Sequence, residues 1–293
     1  MDARQVAAQA AAAPSQGWCN MYEAYWGLKE KPFHNTPDPR FLYHSQQHEE
    51  ALSRLIYAVR ERVGGALLTG VFGCGKTLLG RTLMKEFNQE KYKVAFITNP
   101  QMSYVELLLL ITQELGGSGL PTKKTEILTN VVFLTLRDIL NKNFKEGKET
   151  VIVVDEAHII QEAETLEGLR LLLNFQLEDR FLLTLLLLGQ PELRAKIDEF
   201  RQLEQRITIK CHLDHLNEKE TAEYVAHRFK VAGGSKSPFT IEALKVIYDY
   251  SGGIPRRINR LCDLSLLSAF GKKLRTIDPK IIQEEIASLG MTT

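Results

Sequence analysis

The sequence is short of the features that mark several classes of protein. Its four cysteines, Cys19, Cys74, Cys211 and Cys262, are widely scattered, with neither the close pairing of a disulfide framework nor the ligand spacing of a zinc site. They read as reduced thiols, and the chain is expected to be cytoplasmic. An excess of either charge is also missing. With 37 Lys and Arg against 36 Asp and Glu, no global field draws the chain to nucleic acid or an anionic membrane, so any such binding has to come from local patches. The longest apolar run, Phe181 to Leu188, follows Glu178-Asp179-Arg180 and falls far short of the roughly 20 residues of a bilayer-spanning helix. It reads as a buried strand, and no membrane span is expected. The Ala-rich stretch Val6 to Pro14 lacks the Leu-type apolar core of a signal peptide and is followed by polar residues. Residues 1–20 are therefore expected to be a disordered tail. No internal repeat is visible at a solenoid period.

What is present is ordinary globular composition, 44% hydrophobic and 25% charged over 293 residues, enough for one large or two modest domains. From residue 21 the sequence is rich in aromatics and prolines, including Tyr22, Tyr25, Trp26, Pro32, Phe33, Pro37, Pro39, Phe41 and Tyr43. Such a segment cannot be a long helix and reads as an extended strap. Ala51, Leu52, Leu55, Ile56 and Val59 recur at helical spacing, which predicts a helix over 48–61. Apolar runs at 66–69, 94–98, 151–154, 182–188 and 207–211 then alternate with helical stretches through about 87 and near 103–115, 125–145 and 163–176. That alternation predicts an α/β fold, a parallel sheet covered on both faces. Beyond about Leu213 the strand signals stop. Asn217 with Glu220, Thr240, Pro255 and Asp278-Pro279 are helix-start signals, so a small all-helical domain follows. The expected division is a tail at 1–20, a nucleotide-binding domain with its strap at 21–212 and a helical domain at 213–293.

Two motifs carry the chemistry. Gly70-Val71-Phe72-Gly73-Cys74-Gly75-Lys76-Thr77 satisfies the phosphate-loop spacing in full and lies between a predicted strand and a predicted helix, with Leu78 in the first helical turn. The glycines let backbone N–H groups turn inward on phosphates, and the helix N-terminus adds its positive end. Lys76 is expected to reach the β- and γ-phosphates and Thr77 to ligate Mg2+. The run Val151-Ile152-Val153-Val154-Asp155-Glu156 delivers an acidic pair to the carboxyl end of a strand, where ligands bind in such sheets. There Asp155 is expected to hold Mg2+ through water, and Glu156 to orient the attacking water. Asp155-Glu156-Ala157-His158 also spells a helicase-like tetrapeptide, but only one parallel sheet is visible, which argues against a helicase of that kind. His158 reads equally as a link to neighbouring structure and as a strand-end cap. Gln190, in Gly189-Gln190-Pro191-Glu192-Leu193, reads equally as a γ-phosphate-sensing amide and as part of a polar turn. Cys74 occupies a free loop position, so thiol reagents are expected to block turnover and ATP to protect.

Together with Gly253-Ile254-Pro255-Arg256, these motifs resemble those of AAA+ ATPases. The openings Tyr25-Trp26-Gly27-Leu28-Lys29-Glu30-Lys31-Pro32-Phe33 and Thr36-Pro37-Asp38-Pro39-Arg40-Phe41-Leu42-Tyr43 are similar to those of the ExeA-type, or general secretion pathway protein A, ATPases. The likeness spans about 21–290. It implies a P-loop NTPase sheet of order 5-1-4-3-2 with a helical lid, ATP and Mg2+ as cofactors, ATP hydrolysis, and homo-oligomers in which one subunit completes its neighbour's site. By the same resemblance Gln190 takes the sensor position and Arg256 is the lid arginine on the γ-phosphate. Arg206 is the arginine finger, with Arg201 nearby as the alternative and both readable as surface charges. The strap lines the adenine pocket, or is a hydrophobic staple unrelated to nucleotide. Relatives often continue into a membrane span and a wall-binding domain, so the soluble ATPase module alone is expected here. The implied role is assembly of a secretion, pilus or envelope complex through a protein partner, with the inner membrane reached through partners. The alternative is a DNA-associated regulator such as a transposase-partner ATPase, kept open by Arg256-Arg257-Ile258-Asn259-Arg260 and Lys272-Lys273-Leu274-Arg275, although such clusters are usually solvated helix faces.

Overall fold

A computed structural model of the chain describes residues 22–88, 90–120 and 128–290. The tail expected at 1–20 and the beginning of the helix expected from 125 lie outside the described residues. The chain forms two compact units, one of residues 37–215 and one in which the segment ending at Thr36 joins the residues from Leu216 onward.

In the first unit the strands are β1 (Gly65–Gly70), β2 (Tyr92–Ile97), β3 (Glu149–Val154), β4 (Thr184–Gly189) and β5 (Ile207–Leu213). They lie in the order β2-β3-β4-β1-β5 and every pairing is parallel, which is the 5-1-4-3-2 arrangement expected. The central strands read GALLTG, ETVIVV and TLLLLG and are almost wholly buried, whereas the edge strands β2 and β5 are interrupted by exposed positions. Apolar residues at every position suit a strand covered on both faces, because successive side chains point to opposite sides. The two cores divide on that alternation. Leu67, Ile152, Val154, Leu185 and Leu187 meet one set of helices, α4 (Tyr104–Glu114), α5 (Thr129–Lys145) and α6 (Ala163–Leu172). Ala66, Leu68, Val151, Val153, Leu186 and Leu188 meet α2 (Gln46–Arg60) and α3 (Lys76–Glu86). Helix α7 (Pro191–Glu199) and the short α8 (Arg201–Glu204) fill the β4–β5 crossover, where the sequence suggested only a polar turn. Pro191 at the first position of α7, preset for a helical start, was the available signal.

The second unit contains α1 (Glu23–Trp26), α9 (Glu218–Val231), α10 (Ile241–Ser251), α11 (Pro255–Gly271) and α12 (Pro279–Gly290). The expected start signals operate. Asn217 and Glu220 form a reciprocal capping box, the Thr240 hydroxyl accepts from the Ala243 amide, Pro255 opens α11, and Asp278 accepts from the Ile281 amide. The strap divides, residues 22–36 belonging to the helical unit and 37–45 to the sheet unit. Arg228, 3% exposed, holds the first of these pieces. Its guanidinium donates to the carbonyls of Pro32 at 2.6 Å and His34 at 2.9 Å and to the Tyr224 hydroxyl at 3.1 Å. Tyr224 in turn donates to Asn259, and Asn259 to Asn35.

Removing a buried charged donor deprives two carbonyls of their partner, at about 1–3 kcal/mol each. Arg228→Met keeps the aliphatic stem, so it is expected to lower stability by about 3 kcal/mol through the lost hydrogen bonds. The check is a urea titration followed by the fluorescence of Trp26, whose indole N–H donates to Leu266.

Candidate nucleotide site

The phosphate loop leaves β1 at the carboxyl edge of the sheet and turns directly into α3. Gly75 is the N-cap of α3, with φ 103° and no side chain capping the first turn. The left-handed conformation calls for glycine, and a helix N-terminus directed at the loop favours an anion. Gly70 is needed for a different reason, since a Cβ there would stand 2.7 Å from the Leu213 carbonyl oxygen and 2.8 Å from Cys74 Sγ. Lys76 is 6% exposed and lies over the loop, its ammonium donating to the carbonyls of Gly70 and Val71 at 3.0 Å each.

A residue that sequence reasoning passed over holds this loop from behind. His48, in the first turn of α2, is buried. Its Nε2 is 3.1 Å from the Cys74 carbonyl oxygen and its Nδ1 is 2.7 Å from the Ser45 hydroxyl. Because a carbonyl only accepts, Nε2 carries the proton and Nδ1 accepts from Ser45. The signal was available one turn before the residues that predicted the helix, because His48 lies on the same face as Ala51, Leu52, Leu55 and Val59.

The second motif meets the first at a single bond. Asp155 follows β3 at the same edge, 2% exposed, and its Oδ2 accepts from the Thr77 hydroxyl at 2.6 Å. Burial pushes the Asp155 carboxyl above its ordinary range, while the Thr77 and Glu156 hydrogen bonds oppose that rise. Two hard oxygen ligands on adjoining elements suit Mg2+, which is held by one or two protein groups together with waters and substrate phosphates. Among the described residues no cluster of three or more His, Cys, Asp or Glu could form an all-protein metal cage. Glu156 has φ 54° and ψ 31°, a left-handed backbone uncommon outside glycine and costing about 1–2 kcal/mol. Its amide donates to Asp155 Oδ1 at 2.9 Å.

Gln190, the N-cap residue of α7, lies at the end of β4, which neighbours β3. Its amide nitrogen is 2.8 Å from His158 Nε2, and His158 Nδ1 is 3.3 Å from Glu156 Oε2. Lys76, Thr77, Asp155, Glu156 and Gln190 thus share the carboxyl edge of the sheet. Arg206 does not. It immediately precedes β5, whose first residue Ile207 is registered with Gly65 at the start of β1. The length of β1 therefore separates it from its own phosphate loop, about 20 Å at 3.3 Å per residue. Arg201 is exposed on α8, and Arg256 is exposed in the first turn of α11 in the helical unit. The Cys74 thiol departs from expectation. The residue is 1% exposed, with its sulfur near Gly70 and in the core under β1. Burial also raises its pKa, outweighing the pull of Lys76.

A five-stranded parallel sheet of this order, with a phosphate loop after β1 and an acidic pair after β3, defines a P-loop nucleotide-binding module of the AAA type. In agreement, the family model described as an AAA domain matches residues 59–197, and that part of the chain is an AAA domain. Over most of its length the chain is also similar to general secretion pathway protein A. The chain is 40% identical over 255 residues to General secretion pathway protein A of Aeromonas hydrophila, a match covering 86% of this chain and 45% of that protein. The chain thus spans less than half the length of this relative. An uncharacterized HTH-type transcriptional regulator of Methanocaldococcus jannaschii is 28% identical over 162 residues, 54% of this chain and 39% of the regulator. Among solved structures, the Aeropyrum pernix ORC2 protein in ADPNP and ADP complexes superposes with a TM-score of 0.67 at 18% identity, over 88% of this chain and 71% of that one. At that identity the likeness shows the fold alone.

Two expectations follow from the burial at this site. The Cys74 thiolate is disfavoured and shielded, so Cys74 should react with Ellman's reagent only as fast as the sheet unit opens, with urea accelerating the reaction. For Asp155 the folded-state pKa lies above its ordinary value of 3.8. Its stabilising contribution is therefore complete below that value and is lost as the pH rises through the folded one. Asp155→Asn, which cannot ionise, is expected to gain on the parent in nucleotide-free melting temperature as the pH is raised from 4 to 7.

Proposed function

We propose that the chain is a Mg2+-dependent ATP hydrolase that works as an oligomer and drives or switches the assembly of a secretion, pilus or envelope complex. The observation that carries the catalytic part is the Thr77–Asp155 hydrogen bond, which joins the phosphate loop to the acidic strand end. The biological part rests on the likeness to General secretion pathway protein A.

In this reading the loop amides and the Lys76 ammonium bind the β- and γ-phosphates, Lys76 exchanging its carbonyl partners for phosphate oxygens. Thr77 and Asp155 would hold Mg2+, which would neutralise phosphate charge. Glu156 orients the water for in-line attack, and Gln190 and Arg256 contact the γ-phosphate. The position of Arg206 at the far edge of its own sheet favours service to a neighbouring subunit, where a guanidinium stabilises transition-state charge. The strap supplies aromatic cover for the base. Cytoplasmic placement follows, with the membrane reached through partners. Among the described residues no helix is long and apolar enough to cross a membrane.

A second reading, a DNA-associated AAA regulator, draws support from the exposed Arg256, Arg257 and Arg260 on the first turns of α11. Binding to duplex DNA that weakens steeply with salt is its signature.

Lys76→Ala is expected to abolish binding of a fluorescent ATP analogue. Glu156→Gln should bind ATP normally, hydrolyse it about 10²–10⁴-fold more slowly and trap the oligomer. Full turnover in Glu156→Gln removes that residue from the mechanism. Arg206→Ala should lose about 10³-fold or more in kcat. Mixing it with Glu156→Gln should restore activity, because intact Arg206 and intact Glu156 then meet across one interface; no recovery means that Arg206 does not act in trans.

A further inference from the structure

His158 lies between two groups assigned to hydrolysis and belongs to neither motif. It sits in the 3-10 turn Ala157–Ile159 that follows the acidic pair. This turn is pinned from the next element, since the Lys196 ammonium on α7 donates to the carbonyls of His158 at 2.5 Å and Ile160 at 2.8 Å. It also rests on the end of β4, where a Cβ on Gly189 would come within 3.2 Å of the His158 amide nitrogen and 2.7 Å of the Leu193 side chain. The backbone that carries the imidazole is thereby held from both sides.

The two ring nitrogens face different partners. Nε2 is 2.8 Å from the Gln190 amide nitrogen. Nδ1 is buried, lacks an aligned hydrogen-bond partner and lies 3.3 Å from Glu156 Oε2. A buried polar nitrogen demands a partner, and the Glu156 carboxylate is the group in reach. An ionised carboxylate only accepts, so the proton belongs on Nδ1, which leaves Nε2 to accept from one of the two N–H bonds of the Gln190 amide. The second N–H bond of that amide and the other carboxylate oxygen of Glu156 are then left to act on a phosphate oxygen and on a water.

We propose that His158 is the positioning residue of the site: its imidazole joins the Glu156 carboxylate to the Gln190 amide in one relay, so that the water-orienting and phosphate-sensing groups are set as a unit. The proposal rests on the ATPase reading above. A glutamate carries considerable rotamer freedom, and misplacing a reacting group by about 1 Å can cost 10²-fold in rate. Anchoring one oxygen of Glu156 removes that freedom. The left-handed backbone at Glu156 fits the same purpose, since it turns the chain sharply enough to bring His158 back against the carboxylate.

The test compares wild type, His158→Ala, His158→Gln, Gln190→Ala and the His158→Ala/Gln190→Ala double variant in ATP turnover and in binding of a fluorescent ATP analogue. The expected result is a kcat about 10–100-fold lower for His158→Ala with unchanged nucleotide Kd. His158→Gln, which keeps a donor and an acceptor, should recover much of it, and the double variant should be no slower than the worse single variant. Side-chain 15N NMR of the nucleotide-free protein should show His158 protonated on Nδ1, with that preference lost in Gln190→Ala. Normal turnover in His158→Ala, additive losses in the double variant, or a proton on Nε2 overturns the relay. A wild-type protein that binds ATP without hydrolysing it overturns the ATPase reading and the catalytic use of the relay together. In that case the NMR signature still reports whether the relay exists.

Discussion

The hydrogen bond between Thr77 and Asp155 joins two segments far apart in sequence, and the rest of the site is arranged around it. It forms because β1 and β3 flank β4 in a parallel sheet, so their carboxyl ends open on one edge and the loop after one can touch the acid after the other. Asp155 is buried at that meeting point at an electrostatic cost, visible in its raised pKa. A carboxylate of this kind is unfavourable as structure alone and becomes favourable when a cation neutralises it. The buried carboxylate is therefore an electrostatic cost carried at the edge of an otherwise apolar sheet.

Around that bond the supporting parts are rigid. Central strands buried on both faces hold the loop and the acidic pair at one height. His48 grips the loop by the Cys74 carbonyl, and the Cys74 side chain is turned into the core below. Lys196 and Gly189 seat the turn that carries His158. The unfavourable features, an αL glutamate and a buried carboxylate, are thus bordered by residues whose positions are overdetermined, the condition under which local strain persists. The helical unit has a comparable centre in Arg228, whose hydrogen bonds to backbone carbonyls tie residues 32–34 to α9.

Most of the fold was legible in the sequence because its signals are local. Unbroken apolar runs at β1, β3 and β4 announce doubly covered strands, and the capping pair Asn217 and Glu220 marks the start of α9. Helix α7 was missed because Gly189-Gln190-Pro191 has the composition of a turn as well as that of a helix start. Gln190 was ambiguous for the same reason, and no local spacing announces its contact with His158. Cys74 misled because a loop position says nothing about the direction of its side chain. Steric demand at Gly70 and the packing of Leu213 leave the sulfur inside.

By itself, the sequence determined the phosphate loop, the acidic pair and the alternation of strands with helices, because each depends on residue types at fixed short spacing. Tertiary structure decided which strands are neighbours, and through them that Thr77 touches Asp155, that His48 backs the loop and that His158 lies between Glu156 and Gln190. It also put Arg206 a strand's length from its own loop. These are contacts between groups brought together by sheet order and helix packing, and no local spacing encodes them.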